Sequence, residues 1–208
     1  MLNAYPLVLS GGLSERQVSV KGALPLLLAG VPALLLLALG IWVALVWNKL
    51  VRQHNQVRAS WAQVEVQLQR RHDLVPNLVG VVQGYAAHEH AALAEVAEAR
   101  AGALGATRVA QRATAEQQLT GALDRLIAVA EAYPDLKADR QFAATHAELT
   151  ATENQLSYAR QFYNLAVRAL TNTIQSVPTN LVAALFGFRP PEYFQAAEHV
   201  RGPVQARP

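Results

Sequence analysis

Residues 142–177 read FAATHAELTATENQLSYARQFYNLAVRALTNTIQSV. Phe142, Leu149, Leu156, Tyr163, Leu170 and Val177 recur every seven positions, and Thr145, Thr152, Ala159, Ala166 and Thr173 recur at the same interval beside them. Seven residues are two helical turns, so the two rows form one stripe with a large and a small position per heptad, the pattern of a helix packed lengthwise in a bundle or coiled-coil seam. Pro178 marks its end, because proline cannot donate to the helical ladder. A helix this long needs neighbours of comparable length, and the rest of the chain supplies candidates.

Working back from that stripe, Leu50, His54, Val57, Trp61, Val64, Leu68, Arg71 and Val75 alternate steps of four and three, again one helical face. Pro76 is expected to end or kink this first helix, with Asp73 capping a second that runs from about Leu74 to Ala101. Gly80 and Gly84 fall inside that second helix, where close packing of a neighbour is the expected use. A third helix is expected from about Thr107 to Ala132 with Leu119, Leu123, Leu126, Ile127 and Ala130 inward, followed by a turn at Tyr133-Pro134-Asp135. Asp135 or Asp139 then caps the heptad helix. A short apolar segment follows, Asn180 to Phe186. No run reads as a strand.

Between Gly22 and Asn48 there is no charged residue, and Ala23 to Trp47 is rich in Leu. Such a run reaches about 37 Å as a helix, against a hydrocarbon core of about 30 Å. A cleaved signal peptide would carry a shorter apolar region and a small-residue cleavage site, whereas this run ends in Trp47-Asn48-Lys49. The fold class expected is therefore all-α: an N-terminal transmembrane helix followed by a long antiparallel helical bundle. The divisions are a structureless tail at 1–22, a membrane helix at 23–47, the bundle at 48–195 and a frayed tail at 196–208. The C-terminal flank of the span holds Lys49, Arg52 and Arg58 and the N-terminal flank Arg16 and Lys21, which leans towards a cytoplasmic bundle.

Composition excludes several classes of function. The 18 Lys+Arg against 15 Asp+Glu leave a net charge of +3, too small and too scattered for a nucleic-acid surface. The chain has no Cys, so disulfides, thiolate catalysis and Cys-held metals are out. His88-Glu89-His90 is the most metal-like cluster, but two His two apart on a regular helix diverge. No His is preceded three positions earlier by Glu, the pair that di-iron bundles use. His72-Asp73 resembles an acid–base pair, although such neighbours more often cap a helix. Catalytic motifs with glycine-rich or nucleophile-elbow spacing do not occur. No catalytic, metal-binding or cofactor-binding residue is assigned, and no cofactor is expected. The polar residues beside the seam, Glu153, Arg160 and Asn164, together with Tyr85, are candidates for a ligand or partner patch. The competing reading makes Glu153 and Arg160 an inter-helix salt-bridge layer. Phe188, Tyr193 and Phe194 are candidates for a contact segment, against a simpler role capping the bundle.

Several blocks resemble the LemA family of bacterial single-pass membrane proteins: Trp61 to Val79 (WAQVEVQLQRRHDLVPNLV), Gly84 to Glu89 (GYAAHE), Ala130 to Ala138 (AEAYPDLKA), Thr152 to Asn164 (TENQLSYARQFYN) and Pro178 to Phe188 (PTNLVAALFGF), with Pro191-Glu-Tyr-Phe194 after them. The resemblance implies a bacterial source, one membrane helix, a helical bundle and no established enzymatic activity. One branch is associated with an intracellular membrane compartment in magnetic bacteria, which implies membrane organisation. The expected function is a non-enzymatic, membrane-anchored scaffold or adaptor in the bacterial inner membrane. Its partners would be the lipid bilayer, an unnamed protein and further copies of itself. The alternative is a membrane-anchored sensor with a small ligand held between bundle helices, in a pocket lined by Tyr85, Glu153 or Arg160.

Overall fold

The computed structural model describes residues 14–195, with side chains from residue 30 onward. Six helices follow in order: α1 (Ser14–Tyr85), α2 (His90–Gly105), α3 (Val109–Glu131), α4 (Pro134–Ala138), α5 (Arg140–Gln175) and α6 (Thr179–Leu185). No strand occurs among the described residues. The chain divides into two compact units, one ending at Lys49 and one beginning at Leu50.

In the first unit, the described part of α1 is apolar on every face and exposed on nearly every face. Leu34, Leu35, Leu36 and Leu37, which together circle the helix, are all more than three-fifths exposed. Water would solvate such a surface poorly, and lipid would suit it. The helix is long and apolar enough to cross a membrane. The expected structureless stretch 1–22 is corrected in part: residues 14–22 belong to α1. The rest of that tail, and the expected frayed end at 196–208, lie outside the described residues.

The second unit is an up-down-up-down bundle of α1 from Leu50, α2, α3 and α5. Cross-links of α1 to α5 run in opposite directions along the two helices. Gln53 donates to the Ala169 carbonyl at 3.4 Å, Trp61 packs on Tyr163 with ring centroids 5.2 Å apart, Arg71 meets Glu153 at 3.4 Å and Tyr85 donates to Asp139 at 2.9 Å. Each advance along α1 is matched by a similar retreat along α5, so the pair is antiparallel and in constant register from Gln53 to Tyr85. Links of Glu65 to Arg112 and of Arg71 to Glu116 advance together, so α1 and α3 are parallel. Glu95 of α2 pairs with Arg125 of α3.

The heptad row is buried from Phe142 through Leu170, with Thr145, Thr152 and Thr173 buried beside it. Beyond Tyr163 the small position moves from Ala166 to Val167, which is wholly buried. A straight helix has 3.6 residues per turn, so a strict seven-residue repeat drifts off the contact line over several turns. Val177 has left the seam entirely and is 80% exposed, because α5 has already ended at Gln175. Asp139 caps α5, accepting from the Gln141 and Phe142 amides at 2.7 and 2.9 Å. His54, at the far end of the α1 stripe, is exposed.

Pro76 does not end the first helix. α1 runs through it to Tyr85, and the chain turns at residues 86–89. The expected second helix from Leu74 to Ala101 is therefore replaced by the last turns of α1 and by α2. Gly80 and Gly84 are exposed, and nothing lies within 4 Å of where a Cβ would stand on either, so neither provides a close approach between helices. The Tyr133-Pro134-Asp135 turn opens into the short helix α4, whose Leu136 is fully buried.

Candidate functional site

The most concentrated polar chemistry in the bundle lies inside it. Arg71 occupies an apolar position on the α1 stripe and Glu116 one on the α3 stripe, so folding turns both charges inward. Both are buried, as is His72. Arg71 Nη1 lies 3.3 Å from Glu116 Oε2 and 3.4 Å from Glu153 Oε2, and Nη2 donates to Thr120 Oγ1 at 2.7 Å. His72 Nε2 is 2.8 Å from the other Glu116 oxygen. One carboxylate thus takes two neighbouring residues of α1, and one guanidinium reaches α3 and α5. Buried charges persist only where partners replace water, and here each is matched. The cluster ties three helices at one level.

His72 also borders an open cleft of about 480 Å³. Glu65, Gln69, Leu104 and Arg112 line it as well. It does not include Tyr85, Glu153 or Arg160. His88 and His90 are exposed and lie at the α1–α2 turn, and Glu89 between them accepts from the Tyr133 hydroxyl at 3.1 Å. No group of three metal-ligating side chains occurs among the described residues. Asp73, expected as a cap, sits mid-helix and accepts from Gln69 at 2.9 Å.

The four residues expected to form one patch fall in three places. Tyr85 bonds to Asp139 at the far end of the bundle. This bond holds the Tyr85 phenol above its ordinary range. The Phe142 amide, and after it Tyr85, hold the Asp139 carboxyl below its own. Glu153 joins the buried Arg71 in an inter-helix ion pair, in which Arg160, its companion in the competing reading, takes no part. Arg160 and Asn164 act together on a single target, Phe194. Asn164 accepts from the Phe194 amide at 2.9 Å and donates to its carbonyl at 3.2 Å. The Arg160 guanidinium lies over the Phe194 ring at 5.1 Å.

Phe194 is 1% exposed and packs against Trp61 at 5.8 Å, so it closes the bundle core. Tyr163 donates to the Glu192 carbonyl at 2.7 Å. Burial, and behind it the nearby Glu192 charge, push the Tyr163 hydroxyl up. The Glu192 carboxylate accepts from the Ala110 amide, in the first turn of α3, at 3.4 Å and pairs with Arg108 at 2.9 Å. That pairing with Arg108 holds Glu192 below the usual carboxylate range. Phe188 packs edge-on against His54 with centroids 6.4 Å apart. Tyr193 is the more exposed member of the segment.

Sequence reasoning placed Arg71 on an apolar stripe and read no more into it. The signal it left unused was that Glu116 occupies an equivalent inward position on α3. Two opposite charges on two inward stripes mark candidates for a buried pair without saying which charge meets which.

Outside the core, Tyr158, Phe162 and Leu165 lie four and three apart on the outer face of α5, each at least 60% exposed. Val66 of α1 is 62% exposed, and with Tyr158, Phe162, Gln63, Gln67 and Gln155 it lines a groove of about 310 Å³. Nothing in that groove carries a charge.

The chain is similar to magnetosome proteins MamQ 2 and MamQ 1 of Paramagnetospirillum magneticum (strain ATCC 700264 / AMB-1), at 26% identity over 175 residues in each case, which is 72% of this chain and 64% of each relative. It is also similar to magnetosome protein MamQ of Magnetospirillum gryphiswaldense (strain DSM 6361 / JCM 21280 / NBRC 15271 / MSR-1), at 24% identity over 200 residues, 84% of this chain and 73% of that one. The match thus spans slightly less than two thirds of the length of the first two relatives. The family model described as LemA family matches residues 60–207, which takes in every bundle cross-link described above except those made by Gln53 and His54. On that match over most of its length, this chain belongs to the LemA family.

Proposed function

We propose that this protein is a non-enzymatic scaffold, anchored in a bacterial cell membrane by α1, whose bundle presents a helical face to a partner protein in membrane organisation. The observation that carries this reading is how the polar groups are used. Arg71, His72, Glu116 and Glu153 bond to one another, Tyr85 bonds to Asp139, and Asn164 holds the Phe194 backbone. These contacts spend those polar groups on holding the bundle together. Large apolar side chains, in contrast, stand on the outside at Val66, Tyr158, Phe162 and Leu165. An uncharged groove between two helices, lined by Tyr158 and Phe162 four apart on α5, suits the apolar face of a partner helix. The magnetosome relatives favour a role at a membrane.

The cations Lys49, Arg52 and Arg58 that follow the span support a cytoplasmic bundle. Protease access in intact and opened cells tests that orientation. Crosslinking in native membranes tests the scaffold. The wild-type chain is expected to capture a defined partner, and the Tyr158→Ser/Phe162→Ser variant to lose it while keeping its fold. A turnover activity of the purified full chain, abolished by one substitution that leaves the fold intact, would overturn the reading.

A further inference from the structure

The end of the bundle that begins at Leu50 differs from the rest in its charge. No Asp or Glu occurs between Arg16 and Val64, nor between Asn154 and Pro191. Twelve of the fifteen carboxylates lie from Glu65 to Glu153. From Ala169 to Phe188 there is no charge of either sign, and Arg168 and Arg189 flank the stretch. This uncharged stretch contains the end of α5 and all of α6.

α6 packs back against α5. Its Thr179 hydroxyl donates to the Thr173 carbonyl at 2.6 Å, and Val182 and Ala183 face inward and are buried. The opposite face is bare: Leu181 is 68% exposed and Leu185 77%, with Val177 at 80% just ahead of them. The level of α6 in the bundle follows from two contacts, Gln53 with Ala169 and His54 with Phe188. His54 follows Asn48, where the uncharged apolar run ends, by six residues, a tether of at most about 22 Å even if fully extended. The apolar tip is therefore tethered within reach of the bilayer surface that the span must meet.

We infer that the outer face of α6, Leu181 and Leu185 with Val177, docks into the headgroup region of an anionic phospholipid bilayer, with Arg168 and Arg189 on its rim. An exposed apolar face on a short helix gains by insertion at the acyl boundary. Cations beside it gain from a negative lipid surface over distances within a Debye length. The stretch from Asn154 to Pro191, which holds α6, offers no carboxylate to repel an anionic surface. The inference rests on α1 being the anchor and adds a second membrane contact.

The full chain has no Cys, so single nitroxide labels can be placed at Leu181→Cys and Leu185→Cys, with Gln117→Cys as a water-facing reference and Leu36→Cys reporting on the anchor. Each variant is reconstituted in phosphatidylcholine vesicles with and without phosphatidylglycerol. Labels at 181 and 185 are expected to be relaxed more by oxygen than by a water-soluble nickel chelate when phosphatidylglycerol is present, with the reverse at 117. Arg168→Gln/Arg189→Gln is expected to return the label at 185 towards the water-like reading. Labels at 181 and 185 as open to nickel as the one at 117 would overturn the docking, even with the label at 36 in lipid. Dipolar broadening between labels at 185 that disappears on dilution with unlabelled chain would assign the face to a second copy and also overturn it. A label at 36 open to nickel would instead defeat the anchor reading.

Discussion

Arg100 Nε donates to the main-chain carbonyl of His72 at 3.0 Å, and that carbonyl is the one Pro76 cannot serve. Within a helix the N–H of residue 76 would bond to the carbonyl of residue 72, but proline has no N–H. A side chain from α2 supplies the missing donor, which helps α1 run unbroken to Tyr85. Arg100→Leu removes this charged donor and is expected to destabilise the bundle by about 1–3 kcal/mol. In the Pro76→Ala background, where the backbone can bond to itself, the same substitution is expected to cost less. Denaturant melts of the four chains of this double-mutant cycle measure the coupling.

The buried ion cluster predicts unequal costs for its two carboxylates. Glu116→Ala leaves Arg71 and His72 buried without their shared partner and is expected to cost about 3–5 kcal/mol. Glu153 has a side chain 41% exposed, so Glu153→Ala is expected to cost about 0–1 kcal/mol. Thermal or chemical unfolding followed by circular dichroism separates the two. A larger loss for Glu153 would contradict this account of the cluster.

The segment from Glu192 to Phe194 is held by Tyr163, Asn164 and Arg160 and closes the core through one ring. Phe194→Ala is expected to lose about 3–5 kcal/mol, as deletion of a buried aromatic ring does. Asn164→Ala leaves the ring in place but releases its backbone. Faster chymotrypsin cleavage after Tyr193 is therefore expected, with a smaller loss of stability.

Asp139 titrates below its ordinary value of 3.8 in the folded chain, through its bonds to the Phe142 amide and Tyr85. A carboxyl depressed by folding contributes stability that is fully present above its unfolded value, and that stability is lost as pH falls through the folded value. Amide protection at Gln141 and Phe142 is thus expected to be flat at neutral pH and to decline only below about pH 4. Asp139→Asn keeps a capping oxygen without the titration, and should remove that decline. Hydrogen exchange at these two amides as a function of pH reads the difference.

The helical content, an N-terminal helix long and apolar enough to cross a membrane, and the antiparallel bundle were legible in the sequence because each rests on a one-dimensional signal: the absence of charge over a membrane's thickness, or a repeat that keeps one face apolar. Asp139 as a cap and the end of α5 before Pro178 were legible for the same reason, since capping and proline chemistry act within a turn. The continuation of α1 through Pro76 was not, because the donor that rescues the His72 carbonyl lies on another helix. Nor was the scattering of Tyr85, Glu153, Arg160 and Asn164 over three places, or the pairing of Arg71 and His72 with Glu116. Local energetics set which stretches coil and which face turns inward. Which buried charge meets which, and what covers Phe194, depends on the register between helices, and that is decided only when all of them pack at once.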